Sequence, residues 1–232
     1  MELKSLQFNE VEWRVFQLSE YAILISPVGV VDPLREVHKA MAAFNSLKDA
    51  RVSEFIPAFD SITILFNSWK DATIHALEDL FAQLSTINVT ALAPQKHIVK
   101  VCYELGLDWA EVEAHTGLTK ENIIQQHSGT EYTIAMMGFL PGFIFLKGLD
   151  EALHCPRKES PRVCLPAGSV GIGGAQTGLY SLQSPGGWQI IGRSPESFFN
   201  ANEQPPTTLN AGDTLIFQPI TESEYQKLSA HG

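Results

Sequence analysis

Four cations stand close together in an otherwise acidic chain. Between Cys155 and Pro195 the charged side chains are Arg157, Lys158, Arg162 and Arg193 against Glu159 alone, a local net charge of +3, whereas all 232 residues together carry −10. An arginine presents a planar fork of donors that matches a carboxylate or a phosphate. Convergence of Arg157, Arg162 and Arg193 would therefore make a site for a small anionic substrate. The chain around them is rich in glycine and proline, as in Gly138-Phe139-Leu140-Pro141-Gly142-Phe143, Pro166-Ala167-Gly168-Ser169-Val170-Gly171-Ile172-Gly173-Gly174 and Ser184-Pro185-Gly186-Gly187-Trp188. Gly142, Gly168 and Ser169 are the candidate close contacts to a ligand. The amides of residues 168–174 fit either an anion nest or a tight turn between strands. Gln176, Tyr180 and Trp188 add an amide, a phenol and an indole, which suit a ligand with an amide ring and a carboxylate. The unperturbed pKa of a histidine suits proton transfer at neutral pH, which makes His127 the candidate acid or base.

Several other chemistries lack their residues. Gly168 to Gly178 contains no Gly-Lys-Ser/Thr ending, so no phosphate-binding loop of that kind is present, and the dinucleotide fingerprint is incomplete. Ala167-Gly168-Ser169-Val170-Gly171 falls one residue short of a nucleophile elbow, which rules against Ser169 as a hydrolase nucleophile. Three cysteines without close pairing argue against a disulfide framework or a zinc site and for a reducing cytoplasm. A pI near 5.1 disfavours nucleic acid. Met1–Glu12 is polar and mixed, and no apolar run approaches a membrane span.

The elements that must carry these residues fall into two groups. Strands are predicted over Trp13–Glu20, Tyr21–Ile25, Arg51–Phe59 and Ser61–Phe66. Asp32-Pro33 marks a helix start, and Leu34, Val37, Met41 and Phe44 recur at helical spacing, as do Ile74, Leu77, Phe81 and Leu84. The order predicts a sheet covered on one face by two helices. Ser85–Lys96 reads as a linker. A strand over Ile98–Tyr103 follows, then a helix from Asp108 with Glu111 completing a capping box, a second helix capped by Thr119, and β structure from Tyr132 to Phe217.

The motifs from about Tyr103 to Pro219 resemble the 5-oxoprolinase B-subunit family, also labelled allophanate hydrolase subunit 1 and carboxyltransferase domain subdomain A/B. They are Gly-Phe-Leu-Pro-Gly-Phe, the Pro156-Arg157…Pro161-Arg162 pair, Pro-Ala-Gly-Ser-Val-Gly-Ile, Gln176-Thr177-Gly178-x-Tyr180, Ser-Pro-Gly-Gly-Trp188 and Gly192-Arg193-Ser194-Pro195, in that order. The resemblance implies a cyclophilin-like β-barrel for the second domain. The expected fold is an α+β N-terminal sandwich, residues 1–90, followed by a mainly β, cyclophilin-like barrel, residues 97–232. It further implies ring opening of 5-oxo-L-proline to L-glutamate with ATP hydrolysis, partner subunits C and A, and no turnover by this chain alone. Relatives with other roles leave two alternatives open: a binding module that inhibits a sensor histidine kinase, and a component of a urea carboxylase or allophanate hydrolase pathway. Two features limit the second. The chain has no Met-Lys-Met for biotin and no serine-serine-lysine amidase signature. The loop Tyr103–Asp108 is shorter than the glycine-rich loop typical of the family.

Overall fold

The computed structural model describes residues 2–8, 10–84 and 94–230. The chain divides into two compact units, Met1–Ala93 and Pro94–Gly232.

The first unit contains β1 (Glu2–Phe8), β2 (Val11–Ser19), β3 (Ala22–Val28), α1 (Pro33–Phe44), β4 (Val52–Pro57), β5 (Ile62–Phe66) and α2 (Ile74–Leu84). Its five strands run antiparallel in the order β1-β2-β3-β5-β4. Helix α1 begins where the sequence places it, with Asp32 accepting the Arg35 N–H at 3.2 Å and Pro33 in the first turn. The buried faces of α1 and α2 share one apolar cluster with Trp13, Val15, Ile23, Ile25, Ile62 and Ile64, so both helices cover the same side of the sheet. Strand β1 is the element that sequence pattern did not reveal. Its polar residues hide the alternation that buries Phe8 between Phe44 and Phe81, with ring centroids 6.5 and 5.7 Å away.

The expected linker lies outside the described residues as far as Ala93. Pro94 and Gln95 lead straight into β6 (Lys96–Val101). There follow α3 (Trp109–Thr116), α4 (Lys120–Gly129), β7 (Glu131–Met137), β8 (Ile144–Lys147), β9 (Arg162–Leu165), β10 (Ser169–Gly173), β11 (Gln176–Leu179), β12 (Ser184–Gly186), β13 (Gln189–Arg193), β14 (Thr214–Pro219) and α5 (Glu222–Ser229). Thr119 caps α4 by accepting the Asn122 N–H, and the tail helix α5 carries a full capping box from Thr221 and Glu224. Among the described residues no helix is long and apolar enough to cross a membrane.

Seven strands form one sheet in the order β13-β10-β11-β8-β7-β14-β6, with β14 and β6 parallel and the other neighbours antiparallel. A flat sheet would leave β13 and β6 far apart. Instead Cys102, just past β6, exchanges both backbone hydrogen bonds with Arg193, at 2.9 and 3.0 Å. The second unit is thus mainly β, and its sheet curls until its edges touch at one residue pair.

Around β8, β11 and β13 both faces of this sheet are apolar. Ile144 and Leu146, Val170 and Ile172, Leu179 and Ile191 enter a large core with Tyr132, Leu215 and Phe217. Their neighbours alternate to the other face, where Phe143, Leu165, Tyr180, Trp188 and Ile190 form a second cluster. Gly171, Gly173 and Gly178 have the parity of that second face, and Gly173 and Gly178 are a floor for one ring. A Cβ on Gly173 would lie 2.6 Å from the Trp188 indole, and one on Gly178 would lie 2.9 Å from it. Gly173 and Gly178 are therefore a steric requirement of Trp188. Gly173→Ala should cost about 1–3 kcal/mol through overpacking. A lowered melting temperature with a shifted Trp188 fluorescence maximum is the expected result.

Candidate functional site

The motifs meet on the face that seats Trp188. Its indole stands edge-on to Phe143 at 5.5 Å, Phe145 at 5.8 Å and Tyr180 at 6.5 Å. Arg157 reaches over the ring from the loop after Cys155, with its guanidinium carbon 5.6 Å from the centroid. Arg157 is exposed and has no carboxylate partner among the described residues. Tyr180 is buried. Burial raises its phenol pKa, against the Trp188 backbone N–H and the Arg157 charge, which lower it. It therefore serves as a neutral wall. Phe139 rims the cluster, edge-on to Phe143 and Tyr180 at 5.6 and 6.4 Å. It is 68% exposed and has φ of +67°, a backbone region that bulky side chains rarely enter. Gln176 sits half-buried opposite Gly173 at the end of the β10–β11 hairpin.

The other cations are engaged elsewhere, which corrects the three-arginine site. Arg162 grips the buried Asp108 with two nitrogens, at 2.8 and 2.5 Å. Lys158 donates to the same carboxylate at 2.9 Å and to Glu111 at 3.2 Å, and the Ile190 N–H completes the set at 2.7 Å. Burial pushes the Asp108 carboxyl up, but Arg162, the Ile190 amide and Lys158 outweigh it and hold the group below its ordinary value. Asp108 occupies the N-cap position of α3 without capping it, because its oxygens are already taken. Arg193 lies at the opposite end of β13 from Trp188, about 16 Å away at strand spacing. Its Nε donates to the Ala167 carbonyl at 2.9 Å and its guanidinium covers Tyr225.

The glycine-rich loop is a turn and leaves no anion nest. Gly168 donates its N–H to Tyr180, Ser169 to Pro166 and Gly174 to Cys155, while β10 between them is paired on both edges. Gly168 has φ of +83° and a Cβ there would meet the Ser194 oxygen at 2.1 Å. The Ser169 hydroxyl is buried on the Pro166 carbonyl. Gly142 has φ of +74° and packs against Phe199 and Ser181. All three serve chain crossings. Among the described residues no group of three or more His, Cys, Asp or Glu could hold a metal ion.

His127 is fully buried, a second correction. Its Nε2 lies 2.8 Å from the Thr177 hydroxyl, which donates onward to the Gly171 carbonyl at 3.0 Å. Thr177 must then accept from Nε2–H, leaving Nδ1 to accept the Tyr103 hydroxyl at 2.7 Å. The ring stacks on Phe217 at 4.7 Å. Burial lowers its pKa to about 3. A neutral imidazole buried from solvent, with both nitrogens hydrogen-bonded, ties α4 to the sheet.

A family model described as carboxyltransferase domain, subdomain C and D, matches residues 13–209. The 5-oxoprolinase B subunit of Bacillus subtilis (strain 168) is 37% identical over 231 residues, covering 93% of this chain and 96% of that protein. The chain belongs to the 5-oxoprolinase B-subunit family. The corresponding 5-oxoprolinase B subunit of Haemophilus influenzae is 38% identical over 210 residues, covering 88% and 96%. Among solved structures, TTHA0988 matches with a TM-score of 0.74 and 27% identity over 86% of this chain and 40% of that one. The matched subdomains are C and D, where the motifs had suggested A/B. As a member of the 5-oxoprolinase B-subunit family, the chain is one component of a hydrolase with further subunits.

Two contributors to the site of this 5-oxoprolinase family member escaped sequence reasoning. Phe139 lay inside a quoted motif, yet nothing in its neighbours signals φ above zero. Asp108 read as a helix cap because an acidic residue before a helix usually is one; the signal that could have corrected this was the surplus of cations fifty residues on.

The buried pair and the buried histidine give separate tests. Asp108→Ala leaves the Arg162 fork and the buried Ile190 N–H without their acceptor and should cost about 1–3 kcal/mol in chemical denaturation. For His127, the unfolded chain takes up a proton as pH falls through 6.5, whereas the folded chain resists until about 3. Its contribution is complete above pH 6.5 and is lost below it, by about 2 kcal/mol at pH 5. His127→Gln should be less stable at pH 7.5 and should lose less than wild type between pH 7.5 and 5, read from denaturation midpoints.

Proposed function

We propose that this chain holds the carboxylate end of 5-oxo-L-proline during its ATP-dependent opening to L-glutamate, within a complex with subunits A and C. The observation that carries the reading is the exposed Arg157 fork, unpaired among the described residues and fixed over the Trp188 ring. A guanidinium held in this way is pre-organised for a carboxylate. Phe139, exposed at the rim of the buried aromatic cluster that seats Trp188, offers an apolar edge to a five-membered lactam.

The chemistry of ring opening needs more than these residues. An amide is a poor electrophile, and phosphorylation of its oxygen creates a leaving group. The amides of residues 168–174 are engaged within the fold, so they do not fit a nucleotide, and no step through ATP is assigned to this chain. With His127 buried and Tyr180 neutral, proton transfer also falls to other groups. This supports a subunit inactive by itself. The three free cysteines suit a cytoplasmic complex. We extend the reading to the barrel, whose closure at Cys102 and Arg193 supports a cyclophilin-like form.

Arg157 separates from the other cations by experiment. Arg157→Lys keeps the charge and loses the fork, so KM for 5-oxoproline in the reconstituted complex should rise roughly ten- to hundredfold. The melting temperature should stay put, because the group is exposed and unpaired. An unchanged KM would remove Arg157 from the site.

A further inference from the structure

Strand β6 is the edge of the curled sheet on the side where the seam fails to close. The Gln95 carbonyl accepts from Thr214 and the Val101 carbonyl from Ile220, so odd-numbered positions face β14 and even-numbered ones face away. Among the even positions, Cys102 is closed onto Arg193, and Lys100 donates its N–H to the Glu196 carboxylate at 3.0 Å. Lys96 and Ile98 have no backbone partner on that side among the described residues. Ile98 is also 62% exposed. Beyond them lies a groove of ≈ 380 Å³, with Ile98 on one wall and Phe198, Phe199 and Pro206 among the residues that complete it. Its lining includes Glu196 and Glu203 and neither lysine nor arginine.

We propose that this open seam receives an extended, basic segment of a partner subunit, which adds to β6 as a strand. Backbone donors and acceptors repeating every second residue match an extended chain and nothing more compact. Glu196 already stands where the carbonyl of such a strand would accept the Lys100 N–H. The two carboxylates in the lining have no ion-pair partner among the described residues, so a cationic segment complements them. A second copy of this chain, net −10, would bring like charge. The inference rests on the multi-subunit reading above and adds the place of contact.

Proline at position 98 is a clean probe. The Ile98 N–H faces away from β14, so Ile98→Pro removes an outward donor without breaking a ladder bond. Titration of the full chain with purified subunits A and C should show assembly weakened roughly tenfold or more. Ile98→Thr, which keeps the N–H, should stay within about twofold, and Glu203→Lys should weaken assembly through charge. Should Ile98→Pro fold poorly, hydrogen exchange on the wild type decides: the Ile98 amide should exchange fast in the free chain and slowly in the complex, while Val99 and Val101 are protected in both. Assembly with no protection of Ile98, or with Ile98→Pro as tight as wild type, overturns the docking site and leaves the functional reading standing. Absence of any complex with the wild-type chain overturns both.

Discussion

A fully buried carboxylate must be paired, and the motif-bearing unit is arranged around that demand. Removing a carboxylate from water costs several kcal/mol, which only close cations and hydrogen bonds offset. Asp108 receives Arg162 bidentately, Lys158, and the Ile190 N–H. These partners come from three stretches: the loop before β9, β9 itself and β13. One carboxylate thereby fixes the start of α3 against the strand that carries Trp188. The pair is weak evidence for net stability and strong evidence for register, since any slip of β13 would strand a charge.

The same pairing sorts the basic island by function. Two of its four cations neutralise Asp108 and Glu111, and a third is bonded to Ala167 and lies over Tyr225. Arg157 remains, held by an aromatic face in place of an acid. A cation over an indole keeps its donors for a ligand, whereas a cation in a salt bridge does not. A positive cluster in sequence is thus a poor guide to which charge meets substrate; burial of an acid nearby decides it.

Much of the fold was legible because it rests on periodicity and caps. Asp32-Pro33 and Thr119 start helices where read, and the apolar stripe Leu34, Val37, Phe44 is buried. Strand β1 was not legible, since Phe8 gains its meaning only from Phe44 and Phe81, which are distant in sequence. The site was legible in part: Trp188 and Arg157 do meet. His127 and Arg162 were misread for one shared reason. A titratable side chain looks reactive in sequence, and only the residues around it, Tyr103 and Thr177 in one case and Asp108 in the other, show its capacity already filled. The glycine run left turn and anion nest open for a related reason, because a floor for an indole and a nest for an anion demand the same missing Cβ.

A sheet with one apolar face can dock partners on its other face. Along β8 and β13 this one is covered on both sides, since Ile144 and Ile191 enter one core while Phe143 and Ile190 enter another. The edges are the sheet's supply of unpaired backbone groups. Curling brings those edges together, and the Cys102–Arg193 pair closes them at one point. A fully closed seam would give a self-contained barrel with nothing to offer along its backbone. A seam closed at one pair keeps Ile98 and Lys96 available while holding β6 in place through β14. In a protein that belongs to a family of enzyme subunits, an incomplete seam is the economical form, because the groups left unpaired on β6 are those that another chain can satisfy.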